Sequence, residues 1–302
     1  MERVKAYIII GINYILACVT AWFVFAAFSP DASNFYGVIF ALLLADVAAT
    51  VIIWLGGIVF KNSSFYDPYW SFIPWLIVLL LMARYGLWGV NNIIFLVVFG
   101  FWSFRLTANW AYTCKTIKSQ DWRYIMYREQ NSPFMWHVIN FFGINMMPTL
   151  LVFVALVPAI FAVLGNTNAN ILSYIAYFII LLGTSLEIVA DTQMHKFKNN
   201  GANKGKVMNI GLWKYSRHPN YLGEITVWVG VFVFALSVDI SKWFFVVGAV
   251  LLFCLFNFIS IPLMEKRQIK RRADYADYIK KTSRLLILPN KEIEEREYII
   301  EP

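Results

Sequence analysis

Eight long apolar segments, separated by short loops, constrain the fold of this chain more than any other feature. Each has close to the roughly 20 residues that a helix needs to cross about 30 Å of hydrocarbon. The segments are Ala6–Phe28, Phe35–Phe60, Ser71–Leu87, Ile93–Thr113, Val138–Leu164, Ile171–Met194, Tyr221–Val238 and Trp243–Met264. Because lipid offers no hydrogen bonds to backbone groups, segments of this kind predict helices. The sequence therefore predicts an all-α, polytopic transmembrane bundle of seven or eight helices.

The composition leaves no room for an additional soluble domain. Apolar residues make up 60% of the 302 residues and charged residues 15%, whereas soluble proteins have roughly 45–50% and about 25%. We therefore expect a single transmembrane domain over residues 1–290, with its C-terminal catalytic half at about 130–288. Residues 291–302 form a charged tail that we expect to be disordered.

The basic residues predict how the chain is oriented in the membrane. Lysine and arginine are concentrated in the loops at 115–128 and 196–217 and in the C-terminal tail, whereas the opposite side has only Lys242 between segments. Cytoplasmic loops of membrane proteins carry such an excess. Both termini and any active site are therefore predicted to face the cytoplasm, in a bacterial inner membrane or the endoplasmic reticulum. The same topology accounts for the net charge of +8, so we expect no nucleic-acid partner.

The cysteines and histidines do not predict a metal centre or a disulfide framework. Three of each are present, and they lack the spacing of metal ligands. They are Cys18, Cys114, Cys254, His137, His195 and His218. No metal site is therefore predicted.

Several ionisable residues lie within or beside the apolar segments. A charged group near the centre of a span costs at least about 2.5 kcal/mol, so each one needs a reason. Glu187 and Asp191 are one helical turn apart and repel each other unless hydrogen-bond donors or a cation lie opposite. They therefore either face a ligand or lie at a hydrated helix end. Arg105 needs a carboxylate or phosphate partner, so it is either a functional residue or one half of a structural ion pair. Asp67 and Tyr69 precede the third segment, where they are either substrate-facing or ordinary interface residues.

The most polar stretch of the chain, YSRHPNYLGE at 215–224, leads into the seventh segment. Its proline suits the first turn of a helix and disfavours helix before it. Free N–H groups at a helix start, beside an arginine, suit a phosphate or a carboxamide. Capping of the helix dipole is the alternative for Glu224, but it does not account for the polar neighbours. The residues expected to contact a ligand are Arg217, His218, Asn220, Tyr221 and Glu224.

Three segments together resemble the C-terminal catalytic portion of the steroid 5α-reductase superfamily, and above all its uncharacterised polytopic branch. They are LEIVADTQMHKFKNN, GLWKYSRHPNYLGEITVWVG and DYIKKTSRLLIL, in this order and at similar spacing. The likeness extends from about Asp67 to Leu288 and is most specific in its last third. It implies a helical membrane enzyme with a cytoplasm-facing pocket for NADPH.

The resemblance also implies roles for individual residues. The family motif N-Y/F-x-G-E contacts the cofactor, which assigns the nicotinamide end to Asn220 and Glu224. An aspartate followed seven positions later by a basic residue matches Asp191 and Lys198, and a tyrosine after the last span matches Tyr278. We expect Asp191 and Tyr278 at ribose or adenine. Lys198 and Arg217 are expected at the phosphates. The full set of expected cofactor residues is Glu187, Asp191, Lys198, Arg217, His218, Asn220, Tyr221, Glu224 and Tyr278.

The substrate side of the family pattern is less complete. The steroid enzymes polarise an enone carbonyl with a glutamate and a tyrosine from their N-terminal half. No residue matches that glutamate, and Trp102 stands roughly where the tyrosine is expected. The catalytic candidates are Asp67, Tyr69 and Arg105. The expected function is hydride transfer from NADPH to an activated carbon–carbon double bond of a steroid or sterol, an isoprenoid or an enoyl lipid.

Two alternatives remain open at the level of sequence. The SRHPNYLG segment also resembles the isoprenylcysteine carboxyl methyltransferases and their phospholipid-methylating relatives, which implies S-adenosylmethionine in the same pocket. The phosphates of NADPH suit the basic loop better than a sulfonium cation does. A non-catalytic membrane scaffold is the other alternative. The expected partners are a lipophilic small molecule and membrane lipids, and the sequence does not predict an oligomeric state.

Overall fold

The computed structural model describes residues 1–28 and 30–290, and this part of the chain is predominantly α-helical. Its helices are α1 Glu2–Phe28, α2 Phe35–Val59, α3 Tyr69–Tyr85, α4 Val90–Thr113, α5 Trp122–Gln130, α6 Pro133–Val138, α7 Met147–Gly165, α8 Ile171–Asn199, α9 Leu212–Tyr215, α10 Pro219–Leu236, α11 Val247–Leu255, α12 Ile261–Arg271 and α13 Tyr275–Lys281. Among these residues the one β-bridge joins Ser216 to Ser283, so the predicted all-α class is confirmed. The tail at 291–302 lies outside the described residues.

Eight helical stretches in the described chain are long and apolar enough to cross a membrane. They are Glu2–Phe28, Phe35–Val59, Ser63–Tyr85, Val90–Thr113, Pro133–Gly165, Ile171–Asn199, Pro219–Leu236 and Ile240–Arg271. Each overlaps one predicted segment, which confirms the polytopic helical bundle. The side of the membrane on which the termini lie stays a prediction.

The fifth and eighth spans are longer than the hydropathy of the sequence predicts. They contain 33 and 32 residues, because π-helical turns at Ile139–Met146 and Phe256–Ser260 connect successive helical pieces. A π-turn inserts one residue into the helical register. The ends of the two spans differ from the prediction because helix continues outside the predicted apolar segments, mainly at 133–137 in the fifth span and at 265–271 in the eighth.

The described chain forms two compact units. The first unit comprises residues 1–180 and 228–252, and the second comprises 181–227 and 253–290. The boundaries between them fall within α8, α10 and α11.

The first unit is packed around aromatic side chains. Phe95 stacks on Phe234 with ring centroids 4.2 Å apart, and Phe99 stacks on Trp102 at 4.9 Å. Trp102 is fully buried and meets Trp228 edge to face. Aromatic pairs of this kind add about 0.5–1.5 kcal/mol beyond the burial of their area. Trp102 is thus a core residue of this unit.

Candidate functional sites in the two units

In the second unit, two glycines bring α8 and α10 into backbone contact. A Cβ atom added to Gly223 would lie 2.6 Å from Cγ of Glu187 and 2.7 Å from the carbonyl oxygen of Gly183. A Cβ added to Gly183 would lie 2.6 Å from the carbonyl oxygen of Gly223. Side chains larger than hydrogen do not fit here without a shift of the helices. This contact accompanies the burial of two carboxylates, Glu187 at 2% exposed and Glu224 at 4%.

Arg217 and His218 converge on a single carboxylate in the same unit. Arg217 Nε donates to Glu265 Oε1 at 2.6 Å, and His218 Nε2 lies 3.1 Å from the same oxygen. Arg217 Nη1 also donates to the carbonyl oxygens of Ile279, at 3.0 Å, and Thr282. A buried guanidinium needs such partners, and Glu265 supplies the counter-charge. These contacts explain Arg217 and His218 structurally, and their roles toward a cofactor stay predictions.

The His218 imidazole is also held by aromatic stacking. Its ring is parallel to that of Tyr221 with centroids 5.4 Å apart, and Tyr221 stacks on Phe256 at 4.8 Å. Burial lowers the pKa of His218 below its usual value of 6.5, while the hydrogen bond with Glu265 partly opposes the shift. The fold therefore favours the neutral imidazole.

The segment after α13 is anchored to the segment before α10. Arg217 N donates to the carbonyl oxygen of Ser283 at 2.9 Å, and Ser216 Oγ donates to that of Leu285 at 2.7 Å. The Tyr278 hydroxyl donates to the carbonyl oxygens of Trp213 and Ser216. Burial raises the pKa of Tyr278, which keeps this donor protonated. Tyr278 thus has a structural role, and its expected contact with ribose or adenine stays a prediction.

The first turn of α10 contains a polar atom without a protein partner. Oδ1 of Asn220 is buried and accepts no hydrogen bond from the residues that the structure describes. A buried acceptor left unsatisfied costs about 1–3 kcal/mol. Because this turn also begins a helix, where N–H groups are free of intrahelical partners, it is a reasonable position for a ligand with both donor and acceptor groups.

Charged side chains also gather near the end of α8. Asp191 is half-buried, and Lys198 lies two turns further along the helix. The charges of Arg272, Asp191 and Arg267 all act on Lys198. Arg272 is fixed by a hydrogen bond of 2.8 Å from its Nε to the carbonyl oxygen of Lys206. Several cations and one carboxylate together suit a ligand that carries both phosphates and hydroxyl groups.

In the first unit, a buried carboxyl group is hydrogen-bonded to a phenol. The Tyr69 hydroxyl donates to Asp46 Oδ1 at 2.6 Å and lies 3.2 Å from the carbonyl oxygen of Asp46. Asp46 is near the middle of α2 and 7% exposed, and Tyr69 is the first residue of α3 and 2% exposed. Beside this pair, the hydroxyls of Tyr66 and Thr50 each lie 2.9 Å from Thr149 Oγ1.

Asp46 is one of the ionisable residues within the apolar segments, and such a residue is costly at that depth unless it has a role, so the sequence marks it as a candidate. The sequence did not predict that Asp46 pairs with Tyr69.

Asp46 and Tyr69 lie in the wall of two adjoining cavities. The larger has about 610 Å³ of empty space, counting the part open to the surroundings, and is lined by four residues of α1, four of α2 and six of α3. The smaller is lined by residues of α2, α3 and α7, and by Tyr66. Apart from Cys18, Asp46 and Tyr69, the lining of the larger cavity is hydrocarbon or indole. The site is therefore an apolar cavity with one acid–phenol pair.

The other two catalytic candidates do not line these cavities. Asp67 is half-buried and accepts a hydrogen bond of 2.7 Å from the Tyr124 hydroxyl, which holds the short helix α5. Arg105 is half-buried on α4. The structure thus brings Tyr69 together with Asp46 and leaves Asp67 and Arg105 outside the lining. Their catalytic roles remain predictions.

Comparison with known proteins places this architecture in a family. A protein of Schizosaccharomyces pombe described as uncharacterized is 26% identical over 258 residues, which covers 74% of this chain and 73% of the relative. No solved structure matches. The family described as "protein of unknown function (DUF1295)" matches residues 53–282, which is most of the chain and includes Tyr69 and the whole YSRHPNYLGE stretch. The chain therefore belongs to the DUF1295 family.

Proposed function

We propose that the protein is an integral-membrane reductase that uses NADPH to reduce an activated carbon–carbon double bond of a lipophilic substrate. The observation that carries this proposal is the hydrogen-bonded pair of Tyr69 and Asp46 in the wall of an apolar cavity. Reduction of an enone needs a proton donor at the carbonyl oxygen as well as a hydride. A phenol held by a carboxyl group away from water is such a donor.

Asp46 and Tyr69 have different roles toward the substrate. Asp46 fixes the orientation of the Tyr69 hydroxyl through the 2.6 Å hydrogen bond. When the Asp46 carboxyl carries a proton, it donates to the Tyr69 oxygen, and the Tyr69 proton is then directed to the substrate carbonyl. The hydrogen bond from Tyr69 stabilises the negative charge that develops on the carbonyl oxygen as hydride reaches the β carbon. Proton transfer to that oxygen gives an enol, which then tautomerises: its oxygen releases the proton and its α carbon takes one up, which leaves the saturated carbonyl compound. The apolar walls strengthen the interaction because they exclude water.

The residues of the second unit fit NADPH by their chemistry. The buried Oδ1 of Asn220, which accepts no hydrogen bond within the described residues, is an acceptor for the carboxamide N–H of the nicotinamide. The cations that act on Lys198 suit phosphates, and Asp191 suits a ribose hydroxyl. When bound, NADPH supplies the hydride. The resemblance to the steroid 5α-reductase superfamily supports the same assignment for Asn220 and Glu224. The proposal includes a cytoplasmic cofactor site, in a bacterial inner membrane or the endoplasmic reticulum.

A methyltransferase that uses S-adenosylmethionine is the second candidate. Two buried carboxylates, Glu187 and Glu224, lie on helices that touch at Gly183 and Gly223. Negative charge of this kind suits a sulfonium cation, whereas the cations near Lys198 suit NADPH better.

Calorimetric titration of the detergent-purified protein with each cofactor separates these functions. We expect NADPH to bind, and Asn220→Ala to weaken it by about tenfold, the effect of one hydrogen bond of roughly 1.4 kcal/mol. Thr226→Ala is the matched control, since Thr226 lies on the same helix and its hydroxyl bonds only to the carbonyl oxygen of Leu222 among the contacts described. Binding of S-adenosylmethionine alone would reject the reductase in favour of the methyltransferase, and binding of neither would favour a scaffold.

A further inference from the structure

We infer that the larger cavity of the first unit binds a neutral, elongated lipid that carries an oxygen at one end, and that it rejects anionic lipids. The inference names the substrate class of the proposed reductase and takes its chemistry from that proposal. Binding itself is independent of turnover and is measured without NADPH. The grounds are the charge of the lining, its length and the place where it opens.

The charge of the lining excludes an anion. Among the described residues that line the cavity, Asp46 is the one ionisable group at neutral pH, and no lysine, arginine or histidine is present. A phosphate or carboxylate bound at Tyr69 would meet a carboxyl group and no counter-charge. An ionised Asp46 about 4 Å from the anion, at an effective dielectric constant of about 20, corresponds to roughly a thousandfold weaker binding, and a protonated Asp46 still leaves the anion without a counter-charge. A carbonyl or hydroxyl oxygen instead pairs with the Tyr69–Asp46 couple.

The length of the lining fits an elongated molecule. Residues of α3 line the cavity from Tyr69 to Leu81, and twelve helical steps correspond to about 18 Å. The hydrogen-bonding pair lies at the Tyr69 end of this run, and hydrocarbon side chains line the rest. The ligand is therefore placed with its oxygen at Tyr69 and its hydrocarbon body along α3.

The cavity opens within the membrane-spanning part of the unit. Trp22 on α1 and Leu80 on α3 line it and are 47% and 41% exposed. Both residues lie inside spans, so the opening faces hydrocarbon. A neutral lipid reaches such an opening laterally from the bilayer. An anionic lipid keeps its head at the interface, because bringing a charge to this depth is costly.

A photo-crosslinking competition tests this inference on the full-length protein in lipid nanodiscs without NADPH. The probe is farnesol with a diazirine in its chain, and the competitors are farnesol and farnesyl diphosphate, which share one hydrocarbon chain and differ in charge. We expect labelled peptides from α1, α2 and α3. Farnesol at ten times its Kd should reduce labelling about tenfold, and the diphosphate at the same concentration should leave it unchanged. Equal competition by the diphosphate, or labelling elsewhere, would overturn the inference.

A pair of tryptophan substitutions on α1 locates the bound probe. Ala21→Trp fills the cavity, whereas Val19→Trp places the same side chain at a position that is 46% exposed and outside the lining. We expect labelling to be lost in the first variant and kept in the second. Labelling kept in both would reject this cavity as the site. If Ala21→Trp does not fold, the competitor comparison on the unchanged chain still decides the question.

The outcomes also separate this inference from the proposed reductase. Selective competition by farnesol without NADPH binding would reject the reductase and keep the neutral-lipid site. NADPH binding without labelling of α1, α2 and α3 would reject the lipid site alone.

Discussion

Removal of the Glu265 carboxylate tests how the Arg-His-Pro turn is held. Arg217 is 6% exposed and donates to Glu265 Oε1 at 2.6 Å, so Glu265→Ala leaves a buried guanidinium without its counter-charge. Breaking one side of a buried pair costs about 3–5 kcal/mol. At about 2 °C per kcal/mol for a chain of this size, we expect the Tm to fall by about 6–10 °C.

The assay is intrinsic fluorescence of the detergent-purified protein, heated at one fixed rate because membrane proteins commonly unfold irreversibly. Lys266→Ala is the matched control, since the neighbouring Lys266 is exposed and should melt within about 1 °C of the parent. The double variant Arg217→Met with Glu265→Leu should recover most of the loss, because no buried charge remains. A Glu265→Ala variant that melts like the parent would refute the reasoning. So would a double variant that is no more stable than Glu265→Ala.

Three further outcomes are expected. Gly223→Ala should lower the Tm in the same assay, because the added Cβ would lie 2.6 Å from a side-chain carbon of α8. Gly201→Ala is the control: its Cβ would meet nothing within 4 Å, so its Tm should equal that of the parent. Equal Tm values for the two variants would contradict the helix contact. Tyr69→Phe should slow the oxidation of NADPH in the presence of an enone lipid by about 10²–10⁴-fold, which is the usual effect of losing a general acid. Tyr85 lies on the same helix but outside the cavity lining, so Tyr85→Phe should keep the parent rate. Burial lowers the pKa of His218 below 6.5, so the stability that this residue contributes is present above about pH 6.5 and is lost as the pH falls through the lower folded-state value. Melting curves from about pH 8 to about pH 5 should show this loss of stability, and the loss should be smaller in His218→Gln. If Tm depends on pH in that variant as it does in the parent, His218 is not the group responsible.

The sequence predicted the eight spans well and the site only in part. Hydropathy identified every span, although helix continues beyond the predicted ends of the fifth and eighth spans. The YSRHPNYLGE stretch was correctly placed at the start of a helix, which begins at Pro219. The partners of its side chains were not predictable. Arg217 was expected at a phosphate, and the structure shows it bound to a carboxylate 48 positions away in the chain.

What the sequence by itself determined is the number and approximate position of the membrane helices. Each helix satisfies its own backbone hydrogen bonds and is apolar along its own length, so this information is local. The tertiary structure alone decided which polar groups meet. Tyr69 and Asp46 are 23 positions apart on different helices, and their hydrogen bond depends on how those helices pack. Pairing of this kind depends on distance and direction in space, which no spacing along a single chain encodes.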